Sequence, residues 1–194
     1  MKRRLLTISL VLALLSVVFY ISNWDTPILV FFTRLRTPAL TRLMHVVAFM
    51  GSVRFLLPFN LLFILFTFRE ERWHSLFIPL GTLSVWILNS LIKNIVRRQR
   101  PAISALAVEK SLSFPSGHAM VSSFFIMSLA MRYYKKHHKS TVFVFAALYI
   151  LLMGINRLYL GVHFPSDVLA GSSFGLFLFA LTLPSETGRK PSKI

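Results

Sequence analysis

The sequence has no cysteine among its 194 residues. That excludes disulfides, thiol catalysis and cysteine metal sites, and it leaves the redox compartment unreadable. Acidic residues are scarce too: six Asp and Glu stand against 22 Lys and Arg, for a formal net charge of +16. The only aspartates are Asp25 and Asp167. Internal repeats and low-complexity tracts are absent. So basic a chain ordinarily raises nucleic acid as a partner. Here the basic residues fall in short clusters between apolar runs, a pattern that reads as topological signal plus attraction to anionic head groups. No nucleic acid is expected.

What the sequence has is apolar length. With 55% hydrophobic residues and a mean hydropathy of +0.67, it is more apolar than a soluble domain of this size requires. Six runs read as spans, covering roughly 5–21, 53–68, 75–96, 118–134, 141–155 and 165–183. The predicted fold class is an all-α, six-transmembrane helical bundle, with one integral-membrane domain over 1–183 and a polar tail over 184–194. No small-x-small cleavage site precedes Asn23-Trp24-Asp25, so the first span is expected to be retained.

Between the first two spans, residues 37–50 place Leu40, Leu43, Met44 and Val47 at helical spacing, which predicts an amphipathic helix at the interface. Pro101 disfavours helix at the residue before it, so the third span should stop near Arg100. Trp86, deep in that span, is expected to pack inside. Gly171 and Gly175, four apart in the last span, permit close helix contact within the bundle or between protomers.

Six spans put both termini on one side. The terminal segments and the turns on their side hold 12 Lys and Arg against 10 on the other. Setting aside Lys93, Arg100 and Arg157, which chemistry has reason to retain, leaves 12 against 7. The termini are therefore expected to be cytoplasmic in a multi-pass protein of the cell membrane, with the opposite loops on the extracytoplasmic side.

Those opposite loops hold the residues with chemistry in them. Asp167 lies four residues beyond His163 at the start of the last span, and Pro165 suits the first turn of a helix. A carboxylate that accepts one ring proton fixes the tautomer and frees the other nitrogen as a nucleophile. Lys93, Arg97 and Arg100, spaced along one helical face, form a cationic stripe. Arg97 and Arg98 are both able to bind phosphate, and the competing reading for both is snorkelling or contact with anionic lipid. In Pro115-Ser116-Gly117-His118 a small hydroxyl residue and a glycine open a helix, whose N-terminus offers backbone N–H groups to an anion. With Arg157 added, the natural guest is a phosphate. His163 is then the expected nucleophile and His118 the acid that protonates the departing oxygen and afterwards activates water, a phosphohistidine route without metal or cofactor. The remaining histidines, His45, His74, His137 and His138, read as interfacial.

Lys93-x6-Arg100-Pro101, Pro115-Ser116-Gly117-His118 and Arg157-x5-His163-x3-Asp167 together resemble the three-part signature of the type-2 phosphatidic acid phosphatase superfamily, lipid phosphate phosphatases related to vanadium haloperoxidases. The resemblance implies that His163 is the nucleophile, His118 the acid, Asp167 the residue that orients His163, and Lys93, Arg100, Ser116, Gly117 and Arg157 the phosphate binders. Arg97 and Asn156 are possible accessories. One position departs from the pattern: Asn156 stands where the family usually has Ser, and its amide is able to donate to a phosphate oxygen. By resemblance, the short six-span layout fits bacterial enzymes acting on undecaprenyl pyrophosphate, phosphatidylglycerol phosphate or phosphatidic acid. The other readings are a lipid phosphotransferase and a non-catalytic lipid-phosphate binder or transporter. Against the last, the charges cluster at one face instead of crossing the bilayer midplane.

Overall fold

A computed structural model of the protein describes residues 1–184, and over these the chain forms eight α-helices and no strand. Residues 185–194 lie outside the described residues, and with them all but the first residue of the expected polar tail. In chain order the helices are α1 (Lys2–Ile21), α2 (Asp25–Arg34), α3 (Pro38–Met50), α4 (Val53–Glu71), α5 (Phe77–Val96), α6 (Gly117–His137), α7 (Val142–Tyr159) and α8 (Pro165–Leu181). A 3-10 turn, Arg72–Leu76, joins α4 to α5.

Among the described residues three helices are long and apolar enough to cross a membrane: α1, α7, and α5 together with its leading 3-10 turn. A fourth candidate arises if α3 and α4, bent by 45° at their junction, count as one broken span. The other two expected spans form as helices but fall short of that test. α8 is apolar but has only 17 residues, about 26 Å at 1.5 Å per residue. α6 has the length, yet it buries Ser122, Ser123 and Ser128 and ends in Lys135, Lys136 and His137.

Three boundaries differ from the sequence reading. α2 was hidden in the stretch between the first span and Thr37, because ten residues with few periodic positions carry little signal. α5 stops at Val96, since Arg97 takes a left-handed conformation with φ 53° and ends the helix four residues before Pro101. α7 runs one turn further than expected, so Asn156 and Arg157 lie on the helix and not in a loop. α3 follows the predicted helix closely, with Thr37 as its N-cap and Pro38 at its first position.

The core lies where α6 meets α8. A Cβ on Gly171 would come within 2.6 Å of the Ser116 carbonyl oxygen, and one on Gly175 would collide with that of Met120. The two glycines therefore serve contact within the bundle. Around them Met120, Phe124, Leu176 and Phe179 are buried. Trp86 is 46% exposed. It lies on the outer face of α5, among apolar side chains such as Leu83, Ile87 and Leu91 that are also exposed, a surface suited to lipid.

α1 packs along α8 and is tied to it by polar bonds at both ends. Lys2 Nζ donates to the Leu183 carbonyl at 2.9 Å, and Ser16 Oγ donates to the Ser166 carbonyl at 2.8 Å. The N-terminus and residue 183 thus share one end of the bundle, and the start of α8 lies at the other. His163, immediately before α8, is at that second end.

Candidate functional site

The site is organised around the first turn of α8. Pro165 is its first residue, and Asp167, two further on, turns its Oδ2 back to accept from the Phe164 backbone N–H at 2.9 Å. A carboxylate there satisfies a helix end and faces the positive end of the helix dipole. Asp167 is wholly buried. Its Oδ2 also accepts from Ser113 Oγ at 2.5 Å, and its Oδ1 accepts from Arg98 Nη1 at 2.7 Å.

His163 is buried beside it. Nδ1 stands 3.6 Å from Asp167 Oδ2 and 3.4 Å from Ser113 Oγ. The first distance exceeds a hydrogen bond, so Asp167 faces the ring as a charge with Ser113 between them. On the other side, Nε2 lies 3.2 Å from Arg100 Nη1. A guanidinium only donates, which assigns the lone pair to Nε2 and the proton to Nδ1. Burial pushes the His163 pKa down to about 3; the Asp167 carboxylate opposes the fall, and Arg100 and Lys93 add to it. At neutral pH the imidazole is uncharged, with its lone pair on the side of the cations.

Arg100 arrives from the loop after α5. Its Nη1 donates to the Val162 carbonyl at 2.7 Å and its Nε to the Ser111 carbonyl at 2.6 Å. Burial lowers its pKa from the ordinary arginine value, against the pull of Glu109 and Asp167. Lys93, in the last turn of α5, is buried and donates to the carbonyls of Leu112 and Ser113. Arg97 does not join them. The end of the helix at Val96 breaks the spacing that would have aligned it with Lys93 and Arg100, and its exposed side chain donates back to the Asn94 carbonyl.

Ser116 caps α6 and Gly117 and His118 open it. First-turn N–H groups have no partner inside their own helix, and the buried Ser116 Oγ has none either. A Cβ on Gly117 would lie 3.0 Å from Asn89 Oδ1, a tight fit that would press on the Asn89 side chain. Asn89, on α5, braces the same loop by donating to the Pro115 carbonyl at 3.2 Å. The His118 ring faces the Ala48 backbone on α3 and lies within electrostatic reach of Arg157, His163 and Arg100.

Arg157, on α7, is 1% exposed. Its Nε and Nη2 donate to Asn156 Oδ1, and its Nη1 points at Glu109 Oε1, 3.3 Å away. The Asn156 amide nitrogen, expected to face a phosphate, instead donates to the Met44 carbonyl at 2.5 Å. Asn156 therefore orients Arg157. Glu109 Oε2 is 3.8 Å from Arg100 Nη2, so one carboxylate lies between two of the expected phosphate binders.

Sequence reasoning missed Ser113, Glu109, Asp25 and the true place of Arg98. Asp25 had a signal, being the only other aspartate. The two loop residues had none, because nothing in a loop's local pattern states which way a side chain turns.

Comparison with known proteins places the chain among similar ones. The PAP2 superfamily pattern matches residues 74–190. A protein named phosphatidylglycerophosphatase B from Bacillus subtilis is 37% identical over 156 residues, 76% of this chain and 75% of its own length. Decaprenylphosphoryl-5-phosphoribose phosphatase from Mycobacterium tuberculosis is 30% identical over 129 residues, 64% of this chain and 67% of its own. A crystal structure of a transmembrane PAP2-type phosphatidylglycerolphosphate phosphatase from Bacillus subtilis superposes with a TM-score of 0.82 at 33% identity. That match covers 93% of this chain and 92% of the other.

Proposed function

Because the chain belongs to the PAP2 superfamily, as a membrane lipid phosphatase, we propose that it hydrolyses a lipid phosphomonoester of the phosphatidylglycerol phosphate type through a phosphohistidine at His163. The observation that carries this reading is the buried His163, with its Nε2 turned toward Arg100 and its Nδ1 toward Asp167. The choice of lipid leans on the Bacillus subtilis relative and its structural counterpart.

In the first half-reaction His163 Nε2 attacks phosphorus, the bond to the lipid oxygen breaks, and His118 gives that oxygen its proton. The phosphorylated ring becomes cationic, and the buried Asp167 carboxylate opposes that charge. In the second half-reaction His118 takes a proton from water, whose oxygen attacks phosphorus. The P–N bond breaks, inorganic phosphate leaves, and His163 returns to its neutral form. Lys93, Arg100 and Arg157, with Ser116 Oγ and the first-turn amides of α6, hold the charge that develops on the equatorial oxygens. The route needs no metal. The Lys and Arg bias supports a cytoplasmic position for the end carrying the chain termini, and with it a site on the extracytoplasmic side. A lipid gains about 0.8 kcal/mol per buried methylene and stays in the bilayer, so the site receives its substrate from the membrane.

The test is inorganic phosphate release by purified protein in detergent with chelator present. Phosphatidylglycerol phosphate, phosphatidic acid and undecaprenyl pyrophosphate would be run beside His163→Asn. The expected result is release from phosphatidylglycerol phosphate, at least tenfold above the others and abolished in the variant. Transfer of phosphate to a second lipid without release would identify a phosphotransferase. Binding of the lipids with neither outcome would overturn the enzymatic reading.

A further inference from the structure

Behind the site, on the side of Asp167 that does not face His163, lies a second buried ionic group. Arg98 Nη1 donates to Asp167 Oδ1 at 2.7 Å and to Ser166 Oγ at 2.7 Å, and Arg98 Nη2 donates to Asp25 Oδ2 at 2.7 Å. Asp25, at the start of α2, accepts in addition from the Ser166 backbone N–H at 2.8 Å and from Ser166 Oγ at 2.5 Å. The Arg98 guanidinium lies over two rings, 4.2 Å from the centre of Phe164 and 5.0 Å from that of Tyr20. The chain's only two aspartates thus meet on one arginine.

We propose that Arg98 and Asp25 are positioning residues for phosphoryl transfer, holding Asp167 by its Oδ1 so that its Oδ2 stays aimed at His163. Neither side chain bonds to the expected phosphate binders: Arg98 and Asp25 hold Asp167, Ser166 and each other, with the Phe164 and Tyr20 rings against the guanidinium. The geometry suits the role. Asp167 is held at Oδ1 by Arg98 Nη1 and at Oδ2 by Ser113 and the Phe164 amide, while the other arm of the Arg98 guanidinium holds Asp25. Ser166 and the Phe164 and Tyr20 rings hold the rest of the guanidinium, and Asp25 fixes its second nitrogen. α2, Arg98 and the first turn of α8 then form one rigid backing, and the short helix between the first two spans acquires a function. This inference rests on the phosphatase reading given above.

The experiment compares Arg98→Lys, Arg98→Gln, Asp25→Asn and the double variant Arg98→Gln/Asp25→Asn with the wild-type protein and His163→Asn. Four quantities are measured: kcat, KM, competitive inhibition by inorganic phosphate, and thermal unfolding in detergent. The expected result is a kcat reduced about 10- to 100-fold in Arg98→Gln, with KM and the phosphate inhibition constant within threefold of wild type. Arg98→Lys keeps the charge but not the fork, and should recover part of the loss. The double variant should lose little more than Arg98→Gln alone, because the two residues act as one unit.

A role in the cradle predicts instead that phosphate inhibition weakens at least tenfold in Arg98→Gln. A merely structural role predicts that kcat falls only in step with the folded fraction, with the two substitutions additive. Either of these results overturns the proposal, as does an unchanged kcat in folded Arg98→Gln or Asp25→Asn. If the wild-type protein itself releases no phosphate, it is the phosphatase reading that fails.

Discussion

Asn156 and Arg157 are joined by two hydrogen bonds, from Arg157 Nε at 3.0 Å and Nη2 at 2.6 Å to the single Asn156 Oδ1. Adjacent helical residues do not face each other along the axis, so the pair meets only because the long Arg157 side chain folds back. Asn156→Ala removes the acceptor and leaves two buried donors without a partner. It should cost about 1–3 kcal/mol in stability, read as a lower unfolding temperature. Phosphate release should fall at least tenfold as Arg157 loses its orientation. Asn156→Ser keeps one oxygen on a shorter arm and should lie between the two. An Asn156→Ala protein with wild-type kcat and KM would remove Asn156 from the site.

Glu109 reaches toward both Arg157 Nη1 and Arg100 Nη2, at 3.3 and 3.8 Å. A phosphate entering the cradle meets that carboxylate as a competitor for the same donors. Glu109→Gln removes the negative charge while keeping the shape, so inorganic phosphate should bind more tightly. The pair is partly exposed, and solvent screening limits the gain to about two- to fivefold. The measurement is the inhibition constant for phosphate. An unchanged or higher constant would mean that Glu109 moves aside at no cost, or that it helps hold the arginines in place.

Much of this site was legible because its residues sit in short segments with strong local grammar. Pro165 and Asp167 mark a helix start, and a helix start places Asp167 near His163 whatever the rest of the chain does. Ser116 and Gly117 open a helix in the same way. Lys93 and Arg100 were expected together from helical spacing, and both donate to the Leu112 carbonyl, although by a different route: α5 ends at Val96 and a loop carries Arg100 in. Arg97 shows what that difference costs, since the same spacing argument placed it in the site. Long-range placement was not legible. Nothing local says that Asp25, 142 residues before Asp167, shares an arginine with it, or that a loop serine would stand between Asp167 and His163. Length and composition alone support three spans among the described residues, or four with α3 and α4 taken as one, against the six expected. α6 is buried by neighbouring helices and spends its surface on serines and small residues, so its composition understates how deep it lies in the bundle.

Gly175 on α8 faces the Met120 backbone of α6 so closely that a Cβ there would overlap its carbonyl oxygen. The obstacle is backbone, which cannot rotate away as a side chain does. Gly175→Leu should therefore push α8 off α6 and destabilise by about 1–3 kcal/mol or more. Phe177→Ala, at a position 42% exposed on the same helix, is the control, and its unfolding temperature should stay near wild type. Equal shifts in the two variants would mean that the α6–α8 contact is looser than the glycine geometry requires.

The last prediction follows from the neutral state of His163. Its pKa in the folded protein is pushed down to about 3, whereas an unfolded histidine titrates near 6.5. The unfolded chain therefore binds a proton at this residue before the folded one does. Above about pH 6.5 the residue is neutral in both states, and its full contribution is present. As pH falls below that value, the unfolded state gains protons that the folded state refuses, and stability is lost progressively down to about pH 3. Between pH 7.5 and 5 the loss from this residue should be on the order of 1–2 kcal/mol. His163→Gln has no such proton to bind. The unfolding temperature of the wild-type protein in detergent should accordingly fall more over this interval than that of His163→Gln. Parallel curves would mean that His163 takes up its proton in the folded state near its ordinary value. The proposed nucleophile would then be cationic, and without a lone pair, in mildly acidic solution.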